Sequence, residues 1–187
     1  MSATAILPRP VDVQTLPPDG LDVEVVATPA EREALAAAYD IPEVKGLSAT
    51  LTVSADAARG VAVDGRVVAD IVQTCVVSLV PVDQRIDEPV SVRFVPPGSP
   101  EAPRPAKPGA EMVFRADEPE PPELLTGPTI DLGALAEEHF VLAIDPYPRA
   151  PGAVLPAAAI EPPGRGESPF AGLAGLAEPA RRRSPKG

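Results

Sequence analysis

The sequence predicts an α+β domain: an antiparallel meander sheet packed by two short helices, with a proline-rich insertion and flexible termini. Three observations predict it. Leu47, Ala49, Leu51, Val53 and Ala55 alternate with Ser48, Thr50, Thr52, Ser54 and Asp56, the two-residue period of a strand with one face buried. Thr28-Pro29-Ala30-Glu31 carries the N-terminal signature of a helix. Only Pro81 and Pro89 interrupt Glu43 to Val95, whereas 19 of the 27 prolines fall from Pro96 onward. Proline removes a backbone donor and fixes φ, so the paired strands must lie early in the chain.

Taken in order, residues 1–20 are expected to form a flexible N-terminal segment, and Leu21-Asp22-Val23-Glu24-Val25-Val26 alternates as a first strand. Thr28 can cap the helix that follows, with Glu31 at the capping-box position; Leu35 and Tyr39 share one face and Ile41-Pro42 ends it. After the 47–55 strand and a turn at Ala57-Ala58-Arg59-Gly60, the odd positions Val61, Val63, Val67, Ala69 and Ile71 continue an apolar face up to Cys75. One long antiparallel partner strand fits that run. Gly65 interrupts the apolar face; the parity that continues through it favours a glycine bulge over a tight Asp64-Gly65 hairpin turn. Val90, Val92 and Phe94 alternate with Ser91, Arg93 and Val95 as a third strand of this sheet, ending at Pro96-Pro97. A second helix is expected to begin near Thr129 to Asp131, with Leu132, Leu135, Ala136, His139 and Phe140 at helical spacing and Glu137-Glu138 facing solvent.

The expected organisation is therefore a flexible segment 1–20, a domain over 21–150 with a proline-rich insertion at about 96–128, and a flexible tail over 151–187. Within the tail, Pro169, Phe170 and Leu173, with Leu176, make a short apolar stripe over 168–176, a candidate docking peptide. Arg181, Arg182 and Arg183 form a small basic end, a candidate RNA contact.

Composition narrows the function. The net charge is −11 and the chain contains no Trp, two Tyr and four Phe, which is neither the electrostatic footprint nor the stacking platform of a free-standing nucleic-acid binder. No apolar run reaches the length of a membrane-spanning helix and the N-terminus lacks the pattern of a secretory signal, so the expected location is the cytoplasm. One cysteine cannot form an internal disulfide, and one histidine leaves little for a zinc site, so no cofactor or metal is expected. Phosphate-cradling and acyl-transfer motifs do not occur.

The remaining reactive groups favour plain roles. Cys75 has no cationic neighbour in sequence that would lower its pKa and reads as a small buried hydrophobe. His139 reads as a partly buried helix histidine. The carboxylates Asp83, Asp87 and Glu88, and Glu118, Glu120 and Glu123, lack the ligand spacing of a calcium loop and read as solvated surface.

Two stretches carry a resemblance. Gly65-x-Val67-x-Ala69-x-Ile71-Val72-Gln73-Thr74-Cys75, continued through Leu79, Pro81 and Ile86-Asp87-Glu88-Pro89-Val90 to Phe94, and later Ile130-Asp131-Leu132-Gly133 with Asp145-Pro146-Tyr147-Pro148, are similar to the YceD family of large ribosomal RNA subunit accumulation proteins in its alphaproteobacterial form. The resemblance covers about residues 20 to 176 and marks Gly65, Gln73, Cys75, Leu79, Pro81, Phe94, Asp131 and Leu132 as its motif positions. Many members carry C-x-x-C-L where this chain has Cys75-Val76-Val77-Ser78-Leu79, which removes a paired-cysteine role here.

What the resemblance implies is a non-enzymatic ribosome-biogenesis factor supporting synthesis, processing or stability of large-subunit (23S) ribosomal RNA. An acidic chain suits a ribosomal protein or pre-ribosomal particle as partner better than bare RNA, with weak direct RNA contact and neither DNA nor membrane. Two alternatives stay open: an RNA-processing enzyme using His139 with Glu138 or Asp145, and a small-molecule carrier with its pocket between the sheet and the second helix.

Overall fold

The computed structural model describes residues 5–56, 60–103 and 121–155. The chain divides into two units, 1–151 and 152–187; of the second only 152–155 are described, and they contain no helix or strand. The first unit is an α+β fold. Its elements in order are β1 (Pro10–Asp12), one 3-10 turn (Val13–Thr15), β2 (Leu21–Val26), α1 (Pro29–Ala38), β3 (Glu43–Ala55), β4 (Val61–Thr74), β5 (Pro81–Val95), β6 (Glu123–Leu124), β7 (Thr129–Asp131) and α2 (Leu132–Leu142). Among the described residues no helix is long and apolar enough to cross a membrane.

Strands β2 to β5 lie side by side in chain order, each antiparallel to the next, which is the meander that the alternation predicts. The register puts Val25 opposite Ala49, Ala49 opposite Val67, and Val63 opposite Val92, so one parity from every strand shares a single face. That face is the core. Leu51, Val53, Val63, Val67 and Ile71 are buried in it, and both helices pack there through Leu35 of α1 and Leu132, Ala136 and Phe140 of α2. Tyr39, at the end of α1, meets the Phe140 ring edge-on at 6.4 Å.

The helix starts follow local chemistry. Thr28 Oγ1 accepts from Glu31 N–H at 3.3 Å while Glu31 Oε2 accepts from Thr28 N–H at 2.7 Å, the reciprocal capping box. Arg9 reaches the same carboxylate at 3.0 and 3.2 Å. The guanidinium, with the Thr28 amide, holds the Glu31 carboxyl down at about 2. At α2, Asp131 Oδ1 accepts from Gly133 N–H at 3.0 Å and Ala134 N–H at 3.1 Å.

Four expectations need correction. Gly65 forms no bulge: β3 and β4 stay in register there, Leu51 opposite Gly65, and the register shift falls between Val44 and Gly46 instead. Glycine occupies position 65 because a Cβ would lie 2.1 Å from Thr50 O. The strand expected over 90–95 starts at Pro81 and runs unbroken through Pro89. Beside Pro89, β5 has no pairing with β6, which joins only at Phe94 and Val95, so the missing N–H faces an open edge. The N-terminal segment expected to be flexible is docked from Ala5 onward as far as the described residues show: β1 pairs with β7, Leu7 is fully buried, and Arg9 N–H donates to Asp131 Oδ1 at 2.8 Å. Glu137 does not face solvent. It is 9 % exposed and its carboxylate accepts from Ile6 N–H at 2.9 Å and from the Tyr39 hydroxyl at 2.6 Å. Burial and that carboxylate push the Tyr39 hydroxyl up to about 12.

Within the proline-rich insertion, Glu123 and Leu124 form β6, in parallel register with Phe94 and Val95, and Leu125 N–H donates to Val95 O at 2.8 Å.

Candidate functional site

Four of the motif positions come together at the end of the sheet where β4 passes to β5. Gln73 is the last inward side chain of β4, Cys75 follows it, Leu79 sits in the connecting turn and Pro81 opens β5. The turn is closed by Cys75 N–H donating to Val80 O at 2.9 Å and Leu79 N–H donating to Cys75 O at 3.0 Å. Leu79 adopts φ +60°, a left-handed conformation that costs a non-glycine residue about 1 kcal/mol or more. Its side chain is 75 % exposed, with Val76, Val80 and Tyr147 also exposed. An apolar rim therefore surrounds a strained turn.

The thiol of Cys75 anchors that turn. It is buried, and Sγ accepts from the backbone N–H groups of Val77 at 3.4 Å, Ser78 at 3.3 Å and Ala150 at 3.2 Å. The Ser78 hydroxyl also donates to it, so the residue standing where many family members have a second cysteine supports the first. Backbone donors converging on one atom form a nest for negative charge. The Ala150 amide, then the Ser78 hydroxyl and the Ser78 and Val77 amides, pull the thiol from 9.0 down to about 6, against a smaller upward push from burial. No cation is needed, which is why the sequence carried no sign of it.

The shift fixes a pH dependence. A thiol whose folded value lies below its unfolded value adds stability in full above about 9, and that contribution is lost as pH falls through about 6. The stability advantage of the wild type over Cys75→Ala is therefore expected to shrink between those limits in urea titrations. In Ser78→Ala the thiolate absorbance should titrate at a higher pH. An advantage independent of pH would rule out a thiolate here.

The same end of the sheet is fastened to the segment after α2. Gln73 Nε2 donates to Asp145 O at 2.8 Å, Gln84 Nε2 donates to Ala143 O at 3.2 Å, and Val76 N–H donates to Pro148 O at 2.9 Å. Thus the Asp145-Pro146-Tyr147-Pro148 stretch meets the Gln73–Pro81 stretch, although more than sixty residues separate them in the chain. Gln73 Oε1 is buried without a donor among the described residues.

The other motif positions serve the fold. Gly65 gives β3 its close approach, Phe94 lines the core, Asp131 caps α2 and Leu132 is fully buried at its first residue. Pro169, Phe170, Leu173 and the three arginines Arg181, Arg182 and Arg183 lie outside the described residues, as do Glu118 and Glu120. His139 is half-buried on α2 and makes no hydrogen bond to Cys75, Glu138 or Asp145 among the described residues. The Glu123 carboxyl is raised by burial and then by the charge of Glu138, against a smaller lowering by His139. No group of three or more His, Cys, Asp or Glu among the described residues is placed to hold a metal.

The sheet and α2 interlock through Phe140, Leu132 and Ala136, and between them at the β6 edge lies a smaller cleft of about 280 Å³ lined by Phe94, Leu124, Leu135 and Glu138, short of the sizeable cavity that a carrier predicts. A cleft of about 730 Å³ opens elsewhere, at the end of the sheet between Val13, Leu16, Val61, Pro96 and Leu125.

Two residues with site-like chemistry read otherwise from the sequence: Glu137 as facing solvent, and Ser78 only as standing in place of a second cysteine. Gly133, Glu137 and Phe140 follow one another at helical spacing, and a glycine inside a helix marks a close approach, so a signal for the buried stripe existed.

A one-sided meander sheet closed by two helices, with a thiol-pinned turn at one end, defines a small α+β domain on whose second face no described element packs. The chain belongs to the family described as large ribosomal RNA subunit accumulation protein YceD, whose model matches residues 63–177. That match begins within β4, so β2, α1 and β3 fall outside it. No curated protein and no solved structure matches the chain.

Proposed function

We propose that the protein is a non-enzymatic factor that supports accumulation of large-subunit ribosomal RNA by binding a ribosomal protein or a pre-ribosomal particle. The observation that carries this reading is the family match over residues 63–177, under a description that names large ribosomal RNA subunit accumulation. The charge of −11 supports a basic protein as the direct partner, since phosphate backbones repel an acidic surface and complementary potentials speed encounter. The Leu79 turn supports it too, because a strained, exposed apolar side chain held by a fixed anchor is the kind of feature that contact surfaces use.

The test is depletion followed by complementation. Depleting the protein is expected to lower large-subunit relative to small-subunit ribosomal RNA, and the full chain should restore it, as should His139→Ala. Unchanged RNA on depletion would end this reading; failure of His139→Ala alone would favour the enzyme alternative.

A further inference from the structure

The face of the sheet turned away from α1 and α2 has no described element packed on it. Its side chains run in straight rows across four strands. Asp22, Thr52, Asp64 and Ser91 form one row by register, and Glu24 beside Thr50 starts the next. All of them are exposed.

Cations on this face are already matched. Arg85 pairs with Asp70 at 3.0 Å, Lys45 with Asp83 at 2.6 Å, Arg66 with Asp87, and Arg93, next to the Asp64–Ser91 row, with Asp56 at 2.7 Å and Glu101 at 2.8 Å. Such pairs cancel locally and leave little field. Asp22, Glu24 and Asp64 have no cation within ion-pair distance among the described residues. Asp22 accepts from the Thr52 hydroxyl at 2.6 Å and Asp64 from the Ser91 hydroxyl at 2.8 Å. Those neutral donors orient both carboxylates without cancelling their charge. Asp22, Glu24 and Asp64 thus gather uncompensated charge at one end of the face, on rigid strands, while Glu43 at the other end stands near Lys45.

Spacing adds to sign. Strand geometry places Asp22 and Glu24 about 7 Å apart along β2, and Asp22 and Asp64 about 10 Å apart across two strand intervals. Cations at alternate positions of an extended segment, or one and two turns apart on a helix, match these separations.

We propose that this face docks a lysine- and arginine-rich protein segment, with Asp22, Glu24 and Asp64 as the charges that receive it. The proposal rests on the reading above that the protein works by binding a basic ribosomal component, and it assigns the surface. RNA is the disfavoured occupant, because the three carboxylates would face phosphates.

The experiment uses the full chain, a fluorescent sixteen-residue peptide of alternating lysine or arginine with small polar residues, and a single-stranded RNA of similar length as competitor. Asp22→Asn/Glu24→Gln/Asp64→Asn keeps both hydroxyl hydrogen bonds and removes three charges. Glu33→Gln/Asp40→Asn/Glu138→Gln removes three charges elsewhere, so long-range attraction falls equally in both. The first variant is expected to weaken peptide binding about ten-fold and the second about two-fold or less, as a few surface charge contacts allow. Amide shifts on peptide addition should map to β2, β3 and β4. Equal losses in the two variants, shifts mapping elsewhere, or RNA displacing the peptide from this face would overturn the proposal. It would also fall if the first variant lost the peptide yet fully restored large-subunit RNA in a depleted strain, an outcome that leaves the proposed function standing. Failure of the wild-type chain to restore that RNA would instead remove the proposed function and leave the peptide measurements to judge the surface.

Discussion

Gly133→Ala is expected to lower stability by about 3 kcal/mol or more, although alanine is the better helix former by about 1 kcal/mol. Gly133 is the second residue of α2, and a Cβ there would lie 1.4 Å from Leu7 O, 2.6 Å from Leu7 C and 3.1 Å from Arg9 N. All three are backbone atoms, so no rotamer change relieves the overlap. The strand of chain they belong to cannot withdraw cheaply either: Leu132 N–H donates to Arg9 O at 3.0 Å, Arg9 N–H to Asp131 Oδ1 at 2.8 Å, and Ile6 N–H to Glu137 at 2.9 Å. Either the helix start distorts or residues 6–9 detach and expose Leu7, which is fully buried. Urea melts would measure the loss, and faster proteolysis before β1 would identify detachment. Gly46→Ala is the control, since nothing lies within 4 Å of a Cβ at that position. A midpoint for Gly133→Ala at or above wild type would contradict the packing described.

Glu137→Ala should cost about 2 to 4 kcal/mol. The carboxylate is a shared acceptor for two groups that no local structure serves, the Ile6 amide and the Tyr39 hydroxyl, and it ties the N-terminal segment, the end of α1 and α2 into one junction. Removing it strands two donors in a part-buried place and opens space beside Phe140. Glu137→Gln should lose less, because an amide oxygen can still accept from one donor while its NH₂ faces the other. The second readout is Tyr39 itself. In a Tyr147→Phe background its ionisation, held up near 12, should fall when Glu137 becomes alanine, since a neighbouring carboxylate disfavours tyrosinate. Unchanged ionisation would mean that the two side chains do not meet.

What could be read from residues alone was whatever depends on neighbours within a few positions. The Thr28–Glu31 box spans three residues and forms as expected; the alternation of Leu47 to Ala55 names its buried face without reference to any partner. β5 was read short for a local reason. Gln84 and Glu88 occupy inward positions where the alternation demands apolar residues, and Pro89 breaks the run, yet Gln84 is served by the backbone of Ala143 and Asp145 and Pro89 stands at an unpaired edge. Both exceptions are settled by parts of the chain far away.

The site divides in the same way. Motif positions Gln73, Cys75, Leu79 and Pro81 were recognisable as a group, but not what they do together. A cysteine with no charged neighbour looks inert in sequence; the Val77 and Ser78 amides and the Ser78 hydroxyl reach it from the turn itself, and the third amide arrives only because the chain returns at Ala150.

By itself, then, the sequence determined the fold class, the order of the central strands, the helix starts and the family, because period, caps and motifs are written in adjacent residues. The tertiary structure alone decided that the segment from Ala5 onward is docked, that Glu137 is a buried acceptor, that the Cys75 thiol gains a backbone donor from Ala150 and that one sheet face carries no described element. Each of these depends on backbone donors or uncovered surface supplied across long separations in the chain, and the free energy of a polar or charged group is set by what finally surrounds it, not by what precedes it.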